Sequence, residues 1–361
     1  GRFLLDALRL PADASYAFVT GCQMAHTTAL AAARHAVLEQ KGWDVESQGL
    51  QGAPAIRVLA NAHHHSSVTR ALRLLGLGSD CIVPLGGGRP GLVAPEALRA
   101  ALAEAPDAPT ILILNAGDLN IGACDDFATL CPIAHAAGAW VHVDGAFGLW
   151  ANASPRLSAL VSGVERADSW ATDGHKWLNT PYDCGMAITR HAAAHSAAMR
   201  MTAAYLTSGG SVRDPMDYTP EWSRRARAIP ALAALMELGR DGLAAMIERC
   251  CDHAAAIYDG IAELEGATGI ARPTMNQGLI RFDTKDGANI SDAVIASINA
   301  SGEAFLSGGS WNGARVMRIS VCGWNTNADD VARTVAAARH ALLGMRQNHR
   351  RKTGLNAPAI C

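Results

Sequence analysis

The chain has 361 residues, 49% of them hydrophobic, so it can bury a sizeable core and more than one modest domain is expected. Its 31 lysines and arginines nearly balance its 33 aspartates and glutamates, which argues against a nucleic-acid or membrane-surface partner. No apolar run approaches the roughly 20 residues that a membrane span needs. The nine cysteines show no CxxC spacing, so no disulfide framework or metal site is expected, and a reduced, cytoplasmic protein fits best.

Short apolar runs alternate with helical patterns along most of the chain. Strands are predicted at residues 14–20, 55–61, 110–116 and 139–146, and helices at 24–40, 67–75 and 126–138. This alternation is typical of an α/β fold with a mainly parallel sheet covered by helices. Ligands of such sheets bind at the carboxyl ends of the strands.

A long helical stretch is predicted at about 221–265, with a break in the region of Pro230 and Gly239–Gly242 because both residue types disrupt helices. After it, strands are predicted at 278–284 and 314–322 and helices at 291–301 and 327–345. These elements indicate a smaller α/β unit. We therefore predict a large domain at 1–245 and a small C-terminal domain at 246–361.

Lys176 is the first candidate for chemistry. It lies between His175 and Trp177, and such aromatic neighbours suggest a partly desolvated amine. Desolvation lowers the pKa of a lysine and makes its amine a nucleophile for an aldehyde. The alternative is a surface lysine whose aliphatic stem lies over Trp177.

Asp144 is the second candidate. It ends the apolar run WVHVD, where an α/β sheet presents catalytic groups, and the small residues Gly145 and Ala146 leave room for a flat ring. A carboxylate facing a pyridine nitrogen keeps that nitrogen protonated. Aspartates that follow strands also cap helices, and this alternative stays open.

A phosphate site is predicted where a strand leads through a short loop into a helix. The backbone N–H groups of Gly21, Cys22 and Gln23 would cradle the dianion at the helix N-terminus, and glycine permits a close approach. Such turns are common, so this pattern is weak evidence by itself.

Three consecutive histidines, His63, His64 and His65, precede another predicted helix. Adjacent side chains cannot all face one centre, so they do not predict a metal site. Ser66 or Ser67 is expected to cap the helix. His65 is the candidate for stacking on an aromatic ring, and His63 and His64 are expected to be exposed loop residues.

The loop after the strand at 110–116 contains further polar candidates. Asp118 and Asn120 are expected to face the crevice at the end of the sheet. One of Asp125 and Asp126 is expected to cap the next helix.

Together these segments resemble the group II pyridoxal-5′-phosphate (PLP)-dependent amino-acid decarboxylases, which include aromatic-L-amino-acid, histidine and glutamate decarboxylases. The blocks occur in the family's order: a "TGG-xx-AN"-like loop at Thr20 to Thr27, "HSSV" at His65 to Val68, "NAG" at Asn115 to Asp125, "VHVD" at Val141 to Gly148 and "HKW" at Asp168 to Gly185. The resemblance implies fold type I, with a mainly parallel large domain and a smaller C-terminal α/β domain. It also implies a homodimer with active sites at the interface.

The resemblance also implies roles for single residues. Lys176 would form the Schiff base with PLP, Asp144 would pair with the pyridine nitrogen, His65 would stack on the ring and Ala146 would pack on its other face. The catalytic set is then Lys176, His65 and Asp144. The cofactor-binding set is Gly21, Cys22, Gln23, His65, Asp118, Asp144, Ala146, Thr172, His175 and Lys176.

The chain departs from the family pattern in several places. It has far fewer residues before the phosphate loop, so a fragment or a shortened homologue is expected. Asp118 stands where the family has Thr or Val, and Pro215 stands where it has the tyrosine that returns a proton to the substrate carbon, with Tyr218 displaced.

The implied function is decarboxylation of an L-amino acid. A planar arginine would hold a substrate carboxylate, and the candidates are Arg224, Arg225 and Arg227. The alternatives are a PLP-dependent aldehyde synthase, another lyase, an aminotransferase or a truncated inactive homologue.

Overall fold

A computed structural model describes residues 1–86, 91–201 and 213–352 of the chain, with the backbone alone from 347 onward. The chain divides into two compact units. One comprises Gly1–Asp118 and Ala123–Ile247, and the other comprises Leu119–Gly122 and the chain from Glu248 onward. A single boundary at 245 does not anticipate that the short segment Leu119–Gly122 belongs to the second unit.

A seven-stranded sheet forms the framework of the first unit. Its strands are β1 (Ser15–Val19), β2 (Arg57–Asn61), β3 (Ile82–Leu85), β4 (Thr110–Asn115), β5 (Trp140–Asp144), β6 (Ser169–Asp173) and β7 (Gly185–Thr189). Their order is β1-β7-β6-β5-β4-β2-β3. Within the described residues β7 runs antiparallel to its neighbours β1 and β6, and every other pair is parallel. The mainly parallel sheet is therefore confirmed.

Within the parts of the chain that the structure describes, the first unit contains seven α-helices and the first part of an eighth, which continues into the second unit. They are α1 (Arg2–Ala7), α2 (Cys22–Glu39), α3 (Val45–Gln48), α4 (Ser66–Leu74), α5 (Pro95–Glu104), α6 (Phe127–Ala136), α7 (Ala192–Met199) and α8 (Ala228–Ala262). The small buried side chains of Ala25, Ala29 and Ala32 let α2 pack closely on β5, β6 and β7. The predicted break in α8 occurs at Gly239, with a φ of 58°. Pro230 lies in the first turn, where its missing N–H costs no helical bond.

The carboxyl ends of three central strands lie side by side. β4 and β5 are buried at every residue, because helices cover both faces of a parallel sheet. Asn115 pairs with Asp144, and Asp144 pairs with Ala171. The segments that follow β4, β5 and β6 therefore start at the same edge of the sheet.

Asp168 ties together the amino ends of β5 and β6. Its Oδ2 accepts the amide of Val141 at 2.8 Å and a hydrogen bond from His135 Nε2 at 2.9 Å, and its Oδ1 accepts one from His191 Nε2 at 2.8 Å. Burial opposes the charge of this carboxyl, but the bonds from His135 and His191 lower the pKa of Asp168 to about 2. The hydrogen bond between His135 and Asp168 also raises the pKa of His135.

We expect the Asp168→Asn variant to melt about 2–4 °C below the parent, with the largest difference at mildly acidic pH. The stabilisation from Asp168 is lost as pH falls through its lowered pKa. The stabilisation that comes from the protonated His135 is complete below about pH 6.5, and it is lost as pH rises through the raised pKa of His135. Thermal unfolding across pH measures both effects, with the exposed Asp107→Asn variant as control. A difference that is the same at every pH would contradict the assignment.

The second unit contains a four-stranded antiparallel sheet of order β10-β11-β9-β8. Its strands are β8 (Ala267–Ala271), β9 (Gln277–Phe282), β10 (Ser307–Trp311) and β11 (Ala314–Ser320). Its helices are the part of α8 from Glu248 onward, α9 (Ser291–Ser301) and α10 (Ala328–Lys352). Across the described ranges, we find no helix with both the length and the apolar character needed to cross a bilayer.

Candidate active site

The predicted phosphate loop lies between β1 and α2, against β7. A Cβ atom on Gly185 would lie 2.4 Å from the Cα of Gly21, so the glycine at 185 is what lets β7 approach the loop. The amide of Cys22 donates to Asp173 Oδ1 at 2.6 Å. In this structure that amide is bonded to a carboxylate, which differs from the open cradle that the sequence predicts.

Asp173, the last residue of β6, joins this loop to Lys176. Its Oδ2 lies 3.0 Å from Lys176 Nζ, and only 3% of its side chain is exposed, against 37% for the lysine. Burial opposes the charge of Lys176, but Asp173 and other nearby groups outweigh it and raise the pKa of this lysine. The expectation of a lowered pKa was wrong here, because it did not include the carboxylate three residues earlier.

His175 contacts the other oxygen of the same carboxylate. Its Nδ1 accepts the amide of Cys184 at 3.3 Å, so the proton of the neutral ring is on Nε2, which lies 3.4 Å from Asp173 Oδ1. Burial lowers the pKa of His175, which favours this neutral form. The ring stacks on Tyr182 with centroids 4.1 Å apart.

Trp177 excludes the surface alternative for its neighbour Lys176. The indole is fully buried and packs edge-on against Phe147, with ring centroids 5.9 Å apart. Lys176 therefore does not lie over an indole at the protein surface.

Asp144, the last residue of β5, is a buried, ionised carboxylate. Its Oδ1 accepts the amide of Ala146 at 3.2 Å, and its Oδ2 lies 3.5 Å from His26 Nε2. Burial opposes its charge, but His26, with Lys176 and His65, lowers the pKa of Asp144 below its ordinary value. Lys176 and His65 are therefore both close enough to Asp144 to lower the pKa of its carboxyl group.

The alternative of a helix cap does not hold for Asp144. The next helical segment is a 3-10 helix at Gly148–Ala153, and its N-cap residue is Phe147. The side chain of Asp144 instead points back to its own turn and to α2.

Cys22, His26 and Asp144 form a compact buried cluster. Their ligand atoms all lie within 4.8 Å of one another, a spacing that a metal ion could occupy and that the sequence does not predict. Cys22 Sγ lies 3.4 Å from His26 Nε2 and 4.0 Å from Asp144 Oδ1. Burial and the nearby carboxylates raise the pKa of the Cys22 thiol, which favours a protonated, hydrogen-bonded thiol over a metal-binding thiolate.

His65 is exposed and is itself the N-cap of α4. Its Nδ1 accepts the amide of Ser67 at 3.2 Å and lies 2.7 Å from Ser67 Oγ. The prediction that Ser66 or Ser67 caps this helix was therefore wrong, because an imidazole nitrogen fills the acceptor role of a hydroxyl. The stacking role of His65 stays a prediction.

The two preceding histidines differ from each other. His63 is exposed, as predicted. His64 is half-buried and structural: its Nδ1 lies 2.8 Å from the carbonyl oxygen of Asn61 and its Nε2 lies 2.9 Å from Thr69 Oγ1. The expectation of an exposed loop side chain was therefore wrong for His64.

Two predicted cofactor-binding residues have buried polar atoms that need a partner. Thr172 Oγ1 in β6 and Gln23 Nε2 in the first turn of α2 make no hydrogen bond to any described residue. Buried polar atoms cost free energy unless they are bonded, so these atoms suit a ligand. Asp118 is buried after β4, where its amide donates to the carbonyl oxygen of Ala123, and its role stays a prediction.

The acidic pair at the end of this loop has divided roles. Asp126 caps α6 by accepting the amide of Thr129, as predicted for one of the pair. Asp125 accepts the amides of Val93 and Asn115 at 2.8 and 2.7 Å, and burial raises its pKa to about 6. Asp125 therefore holds the loop after β4 in place.

The three candidate arginines already have partners in this structure. Arg227 binds Asp183 through two bonds of 3.1 Å, and Arg225 Nε lies 3.4 Å from the same carboxylate. Arg224 donates to two backbone carbonyl groups. The geometry therefore does not single out one of them for a substrate carboxylate.

Comparison with known proteins places the chain in a family. A family model described as the pyridoxal-dependent decarboxylase conserved domain matches residues 9–285. L-2,4-diaminobutyrate decarboxylase from Rhizobium meliloti (strain 1021) is 28% identical over 304 residues, 82% of this chain and 59% of that protein. Aromatic-L-amino-acid decarboxylase from Bacillus atrophaeus is 31% identical over 271 residues, 73% of this chain and 53% of that protein. The chain thus spans little more than half the length of these relatives.

A solved structure supports the fold. The crystal structure of Oryza sativa TDC with PLP and tryptamine matches with a TM-score of 0.86 and 22% identity, covering 95% of this chain and 74% of that chain. This likeness confirms the expected fold type I architecture. By the match of the family model, the chain belongs to the pyridoxal-dependent decarboxylases, and its expected cofactor is the one that names the family.

Proposed function

We propose that this protein decarboxylates an L-amino acid, with PLP attached to Lys176. One observation carries the proposal: a lysine amine and an ionised carboxylate lie in one cluster at the carboxyl ends of β5 and β6. Lys176 pairs with Asp173 at 3.0 Å, and its charge contributes to the lowered pKa of Asp144. The family match supports the reaction class, and the cluster supports the choice of residues.

The residues around Lys176 suit this cofactor. Thr172 and Gln23 offer buried polar atoms without a partner in the described chain. Gln23 lies in the first turn of α2, where the helix dipole favours a phosphate although the amide of Cys22 is bonded to Asp173. Asp144 is an anion in a buried site, as a protonated pyridine nitrogen requires. These features come from three different elements, β5, β6 and α2, which meet at one place.

Bound PLP supplies a sink for the electrons released when a bond to the substrate Cα breaks. Asp144 keeps a proton on the ring nitrogen, while the amide of Ala146 fixes its Oδ1. Lys176 must lose a proton before its amine acts as a nucleophile, and its ion pair with Asp173 opposes that loss. The exposed ring of His65 offers a face on which a flat ring can stack.

The test is CO2 release from a panel of L-amino acids, including 2,4-diaminobutyrate and the aromatic amino acids. The visible spectrum of the protein with PLP is recorded before and after borohydride. We expect a borohydride-sensitive band and CO2 from at least one amino acid. A bound, reducible cofactor with no CO2 from any of them would overturn decarboxylation.

A second candidate reaction is oxidative deamination with loss of CO2. Pro215 has no acidic proton, and the ring of Tyr218 lies under Arg213, whose guanidinium carbon is 3.7 Å from the ring centroid. Without a proton donor, the substrate carbon would react with O2 and water to give an aldehyde, ammonia and hydrogen peroxide besides CO2. Peroxide and ammonia in the same assay would favour this reading, whereas an amine product would exclude it.

We also propose a homodimer in the cytoplasm, with the active site near the interface. Ile229, Leu232 and Met236 repeat at helical spacing along α8 and are 65%, 44% and 68% exposed. Such an apolar stripe favours contact with another protein surface. The eight cysteines of the described ranges are all free, which supports a reducing compartment.

A further inference from the structure

A continuous line of buried polar side chains leads from Asp144 into the core between α2 and the sheet. His26 Nε2 lies 3.5 Å from Asp144 Oδ2, and His26 Nδ1 lies 2.9 Å from His142 Nε2. His142 Nδ1 lies 2.8 Å from Ser169 Oγ, which also accepts the indole N–H of Trp140 at 2.9 Å. Both histidines and the serine are fully buried, so water does not compete for these bonds.

The chemistry of these groups favours one arrangement of the protons. Burial, with the neighbouring His26, lowers the pKa of His142, so that ring is neutral and has one N–H. If Ser169 donates to His142, then His142 donates to His26 Nδ1, and the N–H of His26 is on Nε2, directed at Asp144 Oδ2. If His26 instead donated to His142, its Nε2 would present a lone pair to the Cys22 thiol at 3.4 Å and to the buried carboxylate at 3.5 Å. A lone pair that faces a buried anion costs free energy, so the first arrangement is favoured.

We propose that His26 is a positioning residue for the cofactor: its Nε2–H holds Asp144 Oδ2 and so keeps Oδ1 turned toward the pyridine nitrogen of PLP. This inference rests on the proposed function of the site. The histidine occupies the place of the asparagine in the "TGG-xx-AN" loop pattern. An asparagine at this position would be too short to reach both Asp144 and His142.

The surroundings of Asp144 predict what removal of His26 would do. Four titratable groups of the described residues face this carboxylate: His26 and Cys22 from α2, Lys176 after β6 and His65 before α4. Two more lie behind them, Asp173 next to Cys22 and His142 next to His26. His26 opposes the effect of burial more than the other neighbours do. Without it, burial raises the pKa of Asp144. The carboxyl then takes up a proton at a higher pH and no longer holds the ring nitrogen.

The experiment measures the PLP dissociation constant of the apoprotein by absorbance titration, from mildly acidic to mildly alkaline pH, with EDTA present. We expect His26→Leu and His26→Asn to weaken PLP binding about tenfold at neutral pH, the loss of one hydrogen bond to a charged group. In both variants the acidic fall in affinity should start at a higher pH than in the parent. His26→Gln keeps an N–H near the Nε2 position and should restore most of the affinity.

The matched control is His195→Leu, which removes another buried histidine of the same unit. His195 bonds to Ser15 Oγ and to the carbonyl oxygen of Tyr218, and not to Asp144. This variant should melt at a lower temperature but keep the pH profile of PLP binding. A parent-like profile in His26→Leu and His26→Asn would overturn the inference, as would equal weakening in all three His26 variants. If the parent binds no borohydride-reducible PLP, the proposed function fails instead.

Discussion

The Lys176→Ala variant should lose the borohydride-reducible link to PLP and about a thousandfold or more of the decarboxylation rate. An alanine has no amine to attach the cofactor or to exchange it with a substrate. The ion pair with Asp173 is lost as well, and Asp173 becomes a buried carboxylate without its lysine. Mass spectrometry after borohydride reduction measures the link, and CO2 release measures the rate.

Lys41 provides the control, because it is an exposed lysine in the turn after α2. Lys41→Ala should keep the reducible adduct and the parent rate. An unchanged adduct and rate in Lys176→Ala would contradict the assignment of the attachment residue. A parent protein without a reducible adduct would instead support an inactive homologue.

Replacement of Asp144 by asparagine should lower the rate about a hundredfold or more, with PLP still attached to Lys176. Asparagine has nearly the same shape, and its oxygen can still accept the amide of Ala146. A neutral amide cannot keep the pyridine nitrogen protonated, so the ring accepts electrons less readily. The loss of one fixed charge from a buried active site has a cost of this size. Initial rates with saturating PLP and substrate measure the effect.

The matched change is Asp126→Asn, which places the same substitution at the N-cap of α6. Asparagine caps helices about as well as aspartate, so this variant should keep both the rate and the melting temperature. An Asp144→Asn enzyme with the parent rate would mean that the carboxylate does not act on the cofactor.

The position of Asp144 at the end of a buried strand could be predicted from the sequence because its signal is local. Asp144 ends an apolar run, and the alternation of strands and helices places such a residue at the ligand-binding edge of the sheet. The wrong pKa direction for Lys176 has a different origin. Asp173 is only three residues before Lys176, but the two side chains meet because strand β6 ends at Asp173 and the chain turns there. The sequence does not show where this strand ends.

Other parts of the site depend on contacts that no local pattern encodes. Asp173 bonds to the amide of Cys22, 151 residues earlier. His26 meets His142 across 116 residues, and the alanine-rich surface of α2 does not indicate which face packs on the sheet. Strand β6, with the sequence SWATD, was not predicted because its polar residues are buried by tertiary packing rather than by their own hydrophobicity.

The ion pair between Lys176 and Asp173 has a consequence for how a newly made chain matures. If Lys176 is the attachment residue, as proposed, its protonated amine must leave Asp173 before PLP can attach to it. Below the raised pKa of Lys176, the reactive neutral fraction grows about tenfold with each unit of pH. Attachment of PLP to Lys176 should therefore be slow and should become faster as pH rises.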